Sequence, residues 1–153
     1  MATADVVRIW QYAENAALQA QNPGSDPFVN IFNQTVDAAS GITVDSSGVI
    51  YVADAGRHCI WKLRESLKPI VFAGKKGTSG DVVGTATAAR FNAPKDMACD
   101  KSGNLYVFDS GNGKIKRINT NGQVSTVTRV AASTAVSLTV APNGTIFAVA
   151  SHA

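Results

Sequence analysis

The chain has 153 residues, of which 45% are hydrophobic and 16% are charged, and its net charge is +3. This length is sufficient for a buried core. No stretch reaches the ~18 consecutive apolar residues that a membrane-spanning helix needs, so none is predicted. The small positive charge gives only weak support to nucleic-acid binding. The N-terminus lacks the basic-then-apolar order of a signal peptide, which favours an intracellular protein.

Two apolar strands are predicted near the start of the chain, at residues 6–12 and 28–32. Three β-hairpins follow, with turns that end at Gly48, Gly103 and Gly144. In each hairpin a short apolar strand precedes a tight turn, and a second apolar strand follows it. The recurrence of one pattern around all three glycines indicates an internal repeat.

Two further strands are predicted after each of the first two hairpins. They cover residues 59–63 and 69–74 in the first case, and residues 114–118 and 123–127 in the second. A unit of four strands that repeats about every 40 residues is typical of a β-propeller blade. We name the strands of a blade a to d in chain order. The third hairpin supplies strands a and b, and no strands c and d are predicted after it.

The N-terminal strands match the missing pair, because the Ile9-Trp10 step resembles Ile60-Trp61 in strand c of the first complete blade. We therefore expect an all-β half-propeller, with three blades' worth of strands in one domain over residues 1–153. Its parts are strands c and d of a composite blade at residues 1–40, blades at 41–74 and 94–128, and strands a and b of a composite blade at 135–153.

The most informative segment runs from the Gly-rich link at residues 73–84 to residue 118. It contains an Ala-x-x-Phe-x-x-Pro step that ends at Pro94. An Asp-x-x-Gly-x-Leu-Tyr-Val-x-Asp hairpin ends at Asp109, and an Ile-Lys-Arg-Ile strand follows. In this order the motifs resemble the NHL repeat family of β-propellers. Ala150 stands where the hairpins of this family, like the first two here, end in aspartate.

A ring of three blades cannot close, since propellers have roughly four to eight blades. We therefore expect a homodimer of six blades. In this arrangement the hairpin of one chain, at residues 136–149, joins strands 6–12 and 28–32 of the other chain in one composite sheet. An open chain would expose a long strand edge, which favours aggregation.

Several residues at repeated positions have predicted structural roles. Asp54 and Asp109 end strand b, and we expect their carboxylates to accept hydrogen bonds from amides of the following turn. Tyr51, Tyr106 and Phe147 occupy equivalent positions of strand b and are predicted to fill the gaps between blades. The basic residues, including those at 75–76 and 114–117, are predicted to be solvated loop positions. Cys59 and Cys99 fall within strands, where reduced packing residues are expected rather than a disulfide.

One face of the propeller collects the b-to-c turns and the link between blades, and functional groups concentrate on such loops. This face is the predicted binding surface, for an unidentified protein or an anionic ligand. Its candidate contact residues are Arg57, His58, Lys75, Lys76, Asn112, Lys114 and His152.

The resemblance implies either a binding platform or an enzyme. Propeller enzymes such as amidating lyases and lactone hydrolases hold a metal at the channel mouth, with His, Glu or Asp rings. Here Asp96 is the single acidic candidate in strand a, and one or two histidines do not make a metal site. We predict no catalytic residue, no metal ligand and no cofactor, which favours a non-enzymatic interaction module. Two alternatives stay open: a propeller lyase or hydrolase with a metal, and a structural component of a larger particle, such as a viral one.

Overall fold

The computed structural model describes residues 6–12, 28–35, 38–64, 69–131 and 136–150. The chain forms two compact units, Met1–Val36 and Asp37–Ala153, and each is described by itself. Both units are built from antiparallel strands. In the described part of the chain no helix has the length and apolar character to cross a membrane.

The first unit contains one antiparallel strand pair, formed by β1 (Val6–Tyr12) and β2 (Phe28–Thr35). These strands confirm the two that were predicted near the start of the chain. Their register places Ile9 opposite Phe32 and Trp10 opposite Asn30, so a β-bulge interrupts the pairing between Ile9 and Trp10.

The second unit begins with a four-stranded antiparallel sheet, which has the architecture of a propeller blade. Its strands are β3 (Ala39–Val44), β4 (Ile50–Asp54), β5 (Cys59–Leu63) and β6 (Ile70–Gly74), and they lie in chain order. In the β3–β4 turn Gly48 has a φ of +77°, a left-handed conformation that glycine adopts without steric cost.

The second sheet repeats this arrangement and adds one short strand. It contains β8 (Pro94–Cys99), β9 (Leu105–Asp109), β10 (Lys114–Ile118) and β11 (Gln123–Arg129), with a 3-10 turn at Ser110–Asn112. The additional strand β7 (Gly84–Thr85) pairs with the outer edge of β11. The sequence did not predict it, because so short a strand cannot produce an alternating pattern.

The third sheet is the hairpin of β12 (Val136–Val140) and β13 (Ile146–Ala150). Leu138 is buried against side chains of the second sheet, among them Tyr106, Phe108 and Ile115. On β13, Phe147 is 56% exposed and Val149 is 72% exposed. Among the described residues of the second unit no neighbouring sheet covers Phe147, and its place in a gap between blades of an assembled propeller stays a prediction.

A β-bulge recurs at the same place in all three pairs of outer strands. It lies between Ile60 and Trp61 in the β5–β6 pair and between Ile115 and Lys116 in the β10–β11 pair. In the β1–β2 pair it lies between Ile9 and Trp10. A bulge is a specific backbone feature that re-aims side chains. The β1–β2 pair shares this bulge with the c and d strands of the larger sheets, and its assignment to strands c and d stays a prediction.

The core lies between the first two sheets of the second unit. Tyr51 and Ile60 from the first sheet meet Leu105 and Ile118 from the second, and Phe91 from the link is completely buried among them. Burial of a Phe, Leu or Ile side chain stabilises a fold by about 1.5–3 kcal/mol. The end of the link is thus a structural part of the core.

Short backbone contacts join the first strands of successive sheets. Ser40 Oγ donates to the carbonyl oxygen of Pro94 at 2.9 Å. At the next residue, a Cβ added to Gly41 would lie 2.2 Å from the carbonyl oxygen of Lys95. The amide of Leu138 donates to Asp96 Oδ2 at 2.6 Å, which connects β12 to β8. The first two sheets can approach this closely only because position 41 has no side chain.

We predict that Gly41→Ala lowers the free energy of unfolding by about 1–3 kcal/mol, since overpacking of this size forces backbone shifts. Urea denaturation followed by tryptophan fluorescence measures the change. Ser137, at the equivalent position of β12, is exposed, so Ser137→Ala should change stability by less than about 0.5 kcal/mol. Equal stability of the two variants would show that β3 and β8 do not approach as described.

Candidate functional site

In the first two sheets the turns between strands a and b are closed by an aspartate. Asp45 Oδ1 accepts hydrogen bonds from the amides of Ser47 and Val49, both at 2.9 Å. Asp100, its equivalent in the second sheet, accepts the amides of Ser102 and Asn104 at the same distances. Burial tends to raise the pKa of the Asp100 carboxyl, but its hydrogen bonds with Asn104 and Ser102 outweigh this and lower the pKa. These turns are self-contained structural caps.

Because the pKa of Asp100 is lower in the folded chain than in the unfolded one, its contribution to stability is present above about pH 4 and is lost as the pH falls. We predict that Asp100→Asn lowers stability at pH 7 by about 1–2 kcal/mol. The variant should also lose less stability than the parent between pH 5 and pH 2, as measured by urea denaturation.

Asn119 supplies the matched control for Asp100. Its Oδ1 already accepts two turn amides, from Asn121 and Gln123, with a neutral side chain. Asn119→Asp should therefore steepen the acid-induced loss of stability. A parallel response of all three proteins to acid would contradict the role of the carboxylate charge.

At the opposite end of the sheets, Asp54 and Asp109 are both fully buried. Asp54 Oδ1 accepts the amide of Arg57 at 3.1 Å, and its Oδ2 accepts the indole N–H of Trp61 at 3.2 Å. Asp109 Oδ1 accepts the amide of Asn92 at 2.7 Å. In each aspartate both carboxylate oxygens have donors from the protein, so these side chains order the turn and the link.

Lys116 is a buried ionic residue that the sequence analysis missed. It is 0% exposed, and its Nζ lies 2.8 Å from Asp109 Oδ2 and 3.0 Å from Asp81 Oδ1. The same ammonium donates to the carbonyl oxygen of Arg90 at 2.9 Å and lies 5.1 Å from the centre of the Phe91 ring. The prediction of solvated loop positions is wrong here, because Lys116 points into the sheet interface.

Alignment of the two repeats gives a sequence signal for the burial of Lys116. Trp61 and Lys116 are separated by the same offset as Asp54 and Asp109, so both pairs occupy equivalent positions. In the first sheet an indole N–H donates to the buried aspartate, and in the second sheet an ammonium does so. The position requires a donor, and the chain meets this requirement with two different side chains.

Asn112 and Lys114 fasten the link to the second sheet. Asn112 Nδ2 donates to the carbonyl oxygen of Gly80 at 2.8 Å and to Asp109 Oδ2 at 2.7 Å. Lys114 Nζ forms an ion pair with Asp81 Oδ2, and this hydrogen bond is the largest cause of the lowered pKa of Asp81. Of the predicted binding residues, these two are therefore engaged within the protein.

We predict that Lys116→Met lowers the free energy of unfolding by about 3–5 kcal/mol, because it leaves the buried Asp109 without its cation. Lys114→Met, on the same strand, removes a partly exposed pair and should cost no more than about 1 kcal/mol. Urea denaturation of both variants measures the difference. Equal losses would show that burial does not distinguish the two lysines.

The remaining predicted residues surround the turn between β4 and β5. The amide of Gly77 donates to the carbonyl oxygen of Arg57 at 2.8 Å, which holds the start of the link against this turn. Lys75 and Lys76 flank this contact and are exposed, and Lys76 Nζ lies 5.6 Å from the centre of the Trp61 ring. We call Arg57, Lys75 and Lys76 the basic cluster.

Cys59 lies close to the basic cluster, and the charge of the cluster affects the pKa of its thiol. Burial raises the pKa of its thiol to about 12, with a further contribution from Asp54, while the charges of Arg57 and Lys76 oppose the increase. His58 has a φ of +58°, and its Nδ1 accepts the amide of Ala93 at 3.0 Å. His58 therefore connects the first sheet to the end of the link. The other predicted histidine, His152, lies outside the described residues.

Few side chains in the ranges that the structure describes could bind a metal ion or react as a thiolate. There, no group of three or more His, Cys, Asp or Glu side chains could hold a metal ion. Cys59 and Cys99 are both free thiols, and burial raises the pKa of Cys99 to about 11.

These sheets define the chain as part of a β-propeller, and comparison with known proteins agrees. The structure aligns with an auxiliary nutrient binding protein from Bacteroides thetaiotaomicron with a TM-score of 0.71 and 16% identity, over 95% of this chain and 41% of that one. At this identity the likeness concerns the fold. Residues 38–63 match the NHL repeat family, so this segment of the chain has the sequence of an NHL repeat.

Two sequence relatives are similar over about half of the chain. The protein SUPPRESSOR OF QUENCHING 1, chloroplastic, of Arabidopsis thaliana is 31% identical over 81 residues, or 53% of this chain. The probable peptidyl-alpha-hydroxyglycine alpha-amidating lyase pgal-1 of Caenorhabditis elegans is 30% identical over 86 residues, or 55% of this chain. The matches span only 8% and 23% of the lengths of these relatives.

Proposed function

We propose that the chain is a non-enzymatic interaction module that binds an acidic segment of a partner protein at the basic cluster. The observation that carries this proposal is the hydrogen bond from the Gly77 amide to the Arg57 carbonyl oxygen. It brings cations from two separate segments of the chain, the β4–β5 turn and the link, to one place.

The charges of the described lysines differ in how they are compensated. Lys114 and Lys116 are neutralised by Asp81 and Asp109 within the protein. Lys75 and Lys76 are exposed and form no ion pair with a carboxylate of the described residues. An uncompensated positive charge attracts anions and accelerates their association. Lys75 and Lys76 are therefore the residues of the basic cluster that are suited to an external carboxylate.

The cluster is also fixed in position. Asp54 is buried beneath the β4–β5 turn and accepts the Arg57 amide, and the bridge between Lys75 and Thr78 closes the adjacent turn of the link. A rigid arrangement lowers the entropy lost on binding. In this proposal Arg57, Lys75 and Lys76 contact the partner, while His58, Asn112 and Lys114 support the loops that carry them.

The test measures binding of a fluorescent poly-glutamate peptide by anisotropy. We predict that Lys75→Glu/Lys76→Glu weakens binding at least tenfold, since each reversal replaces an attraction with a repulsion, and that affinity of the parent falls with salt. The matched control is Arg64→Glu/Lys101→Glu, which reverses two exposed charges at the end of the sheets that carries the a-to-b turns. It should bind within twofold of the parent.

Equal affinity of both double variants would contradict the basic cluster as the site. Unchanged melting temperatures of both variants are required for the comparison, and the exposure of all four residues predicts this result. Tighter binding of a single-stranded oligonucleotide than of the peptide, at the same number of charges, would overturn the proposed partner class in favour of nucleic acid.

A further inference from the structure

Asparagine followed by glycine occurs three times in the sequence, each time at a turn. The pairs are Asn112-Gly113, Asn121-Gly122 and Asn143-Gly144. The three glycines have φ values of +60°, +76° and +85°. Such a pair is chemically labile in water, because glycine has no side chain that would keep its backbone nitrogen away from the asparagine carboxamide. The hydrogen bonds around each pair therefore decide whether it reacts.

The reaction of an Asn-Gly pair is deamidation, and its only co-reactant is water. The glycine nitrogen loses its proton and attacks the asparagine Cγ, while the Nδ2 group takes up a proton and leaves as ammonia. The cyclic imide that forms then adds a water molecule. Cleavage between the nitrogen and Cγ gives aspartate, and cleavage between the nitrogen and the backbone carbonyl carbon gives isoaspartate.

The Asn112-Gly113 pair is fastened by the protein. Asn112 Nδ2, the leaving group, donates to the carbonyl oxygen of Gly80 at 2.8 Å and to Asp109 Oδ2 at 2.7 Å. The Gly113 amide, the nucleophile, donates to the carbonyl oxygen of Ser110 at 3.2 Å. Both reacting groups must leave their partners before attack, and one of these partners is a fully buried carboxylate. This pair is therefore protected.

The other two pairs lie in turns with the same backbone hydrogen bond. The Gly122 amide donates to the carbonyl oxygen of Asn119, and the Gly144 amide donates to that of Ala141, both at 2.9 Å. Attack by either glycine nitrogen requires this bond to open in a local fluctuation of the turn. The two turns differ in what else must open with it.

Further contacts hold the Asn121 turn closed. Asn119 Oδ1 accepts the amides of Asn121 and Gln123 at 3.0 and 2.9 Å. The carbonyl oxygen of Gly122 accepts the Ala86 amide, from the segment between the two larger sheets, at 2.7 Å. Opening this turn therefore breaks three hydrogen bonds in addition to its backbone pairing.

The Asn143 turn does not have these contacts. Ala141 stands at the position of Asn119 and has no side-chain acceptor. A Cβ added to Gly144 would have no atom within 4 Å. The Thr145 amide donates to Asn143 Oδ1 at 3.0 Å, which draws electron density from the carboxamide carbon and does not hold the leaving group.

The turn that contains Asn143 is also exposed, along residues 142–145. This exposure is a property of the a-to-b turn in every sheet of the second unit, since residues 46–47 and 101–102 of the two larger sheets are exposed as well. Water therefore reaches Asn143 whatever packs against the sheets.

We propose that Asn143 is a site of spontaneous deamidation in the folded chain, whereas Asn112 and Asn121 are protected. The products carry one additional negative charge at the turn of the third hairpin. An aspartate at position 143 keeps the bond from the Thr145 amide and strengthens it through its charge, while isoaspartate lengthens the backbone and disrupts the turn. This inference does not depend on the proposed binding of an acidic partner.

Peptide mapping by mass spectrometry tests the proposal on the full chain. Trypsin cleaves after Lys and Arg and places the three pairs on separate peptides, at residues 102–114, 118–129 and 130–153, and Asn143 is the only asparagine of the last one. After incubation at mildly alkaline pH, deamidation of this peptide should be at least about tenfold faster than that of 118–129, because fewer hydrogen bonds oppose opening of the turn. Peptide 102–114 should change least.

The chain unfolded in guanidinium chloride is the control. Its three pairs should deamidate at similar rates, because the sequence around them alone decides. Equal rates at Asn121 and Asn143 in the folded chain would overturn the protective role of the turn contacts. A folded chain that leaves peptide 130–153 intact, when the unfolded chain modifies it, would overturn Asn143 as the site.

Two reciprocal substitutions exchange the side-chain acceptor between the turns. Ala141→Asp introduces the carboxylate that Asp45 and Asp100 supply to the equivalent turns, and it should slow deamidation of Asn143 several-fold. Asn119→Ala removes the acceptor from the other turn and should accelerate deamidation of Asn121 several-fold. Unchanged rates in both variants, with folding verified by circular dichroism, would contradict the role of the acceptor.

Isoelectric focusing gives an independent measurement. The parent chain should acquire an acidic form during incubation, and Asn143→Gln should not, because glutamine would have to close a larger ring and reacts much more slowly. An acidic form that appears equally fast in Asn143→Gln would place the modification elsewhere in the chain.

Discussion

The fold depends on a buried carboxylate at the end of strand b. Burial of an ionised group is unfavourable unless donors surround it, so Asp54 and Asp109 dictate what lies around them. Each has both oxygens satisfied by the protein, and each receives one donor from the equivalent position of strand c. Asp54 thereby connects the turn after its strand to the third strand, and Asp109 connects the third strand to the link that precedes its own sheet.

The two sheets satisfy the same requirement at different electrostatic cost. In the first sheet the neutral indole of Trp61 meets Asp54. In the second sheet the ammonium of Lys116 meets Asp109, and the link supplies Asp81 and the carbonyl oxygen of Arg90 as further acceptors. A buried ion pair offsets its desolvation only with such additional partners. The long link is therefore bound to the second sheet by charge and to the core by Phe91, while its beginning is held by the turn at Arg57.

Much of this organisation could be predicted from the sequence, because short stretches of similar sequence recur at equivalent positions of the repeat. Alternating apolar residues and turn glycines indicated the strands, and the constant offset between the first two repeats indicated the equivalent aspartates. The burial of Lys116 could not be predicted from local composition, since a cluster of basic residues is usually solvated. Only its alignment with Trp61 indicates an interior position. The engagement of Lys114 and Asn112 by the link was equally hidden, because it depends on contacts between residues that are distant in the chain.

The third hairpin differs from the other two in both of its acidic positions. Ala141 stands where Asp45 and Asp100 close the a-to-b turns, and Ala150 stands where Asp54 and Asp109 end strand b. In place of these carboxylates, Asn143 Oδ1 accepts the Thr145 amide at 3.0 Å within the turn. The hairpin is attached to the second sheet by the hydrogen bond from the Leu138 amide to Asp96 and by apolar contact. The strand β13 itself contains no charged residue, whereas exposed edge strands are commonly protected from pairing by charged residues.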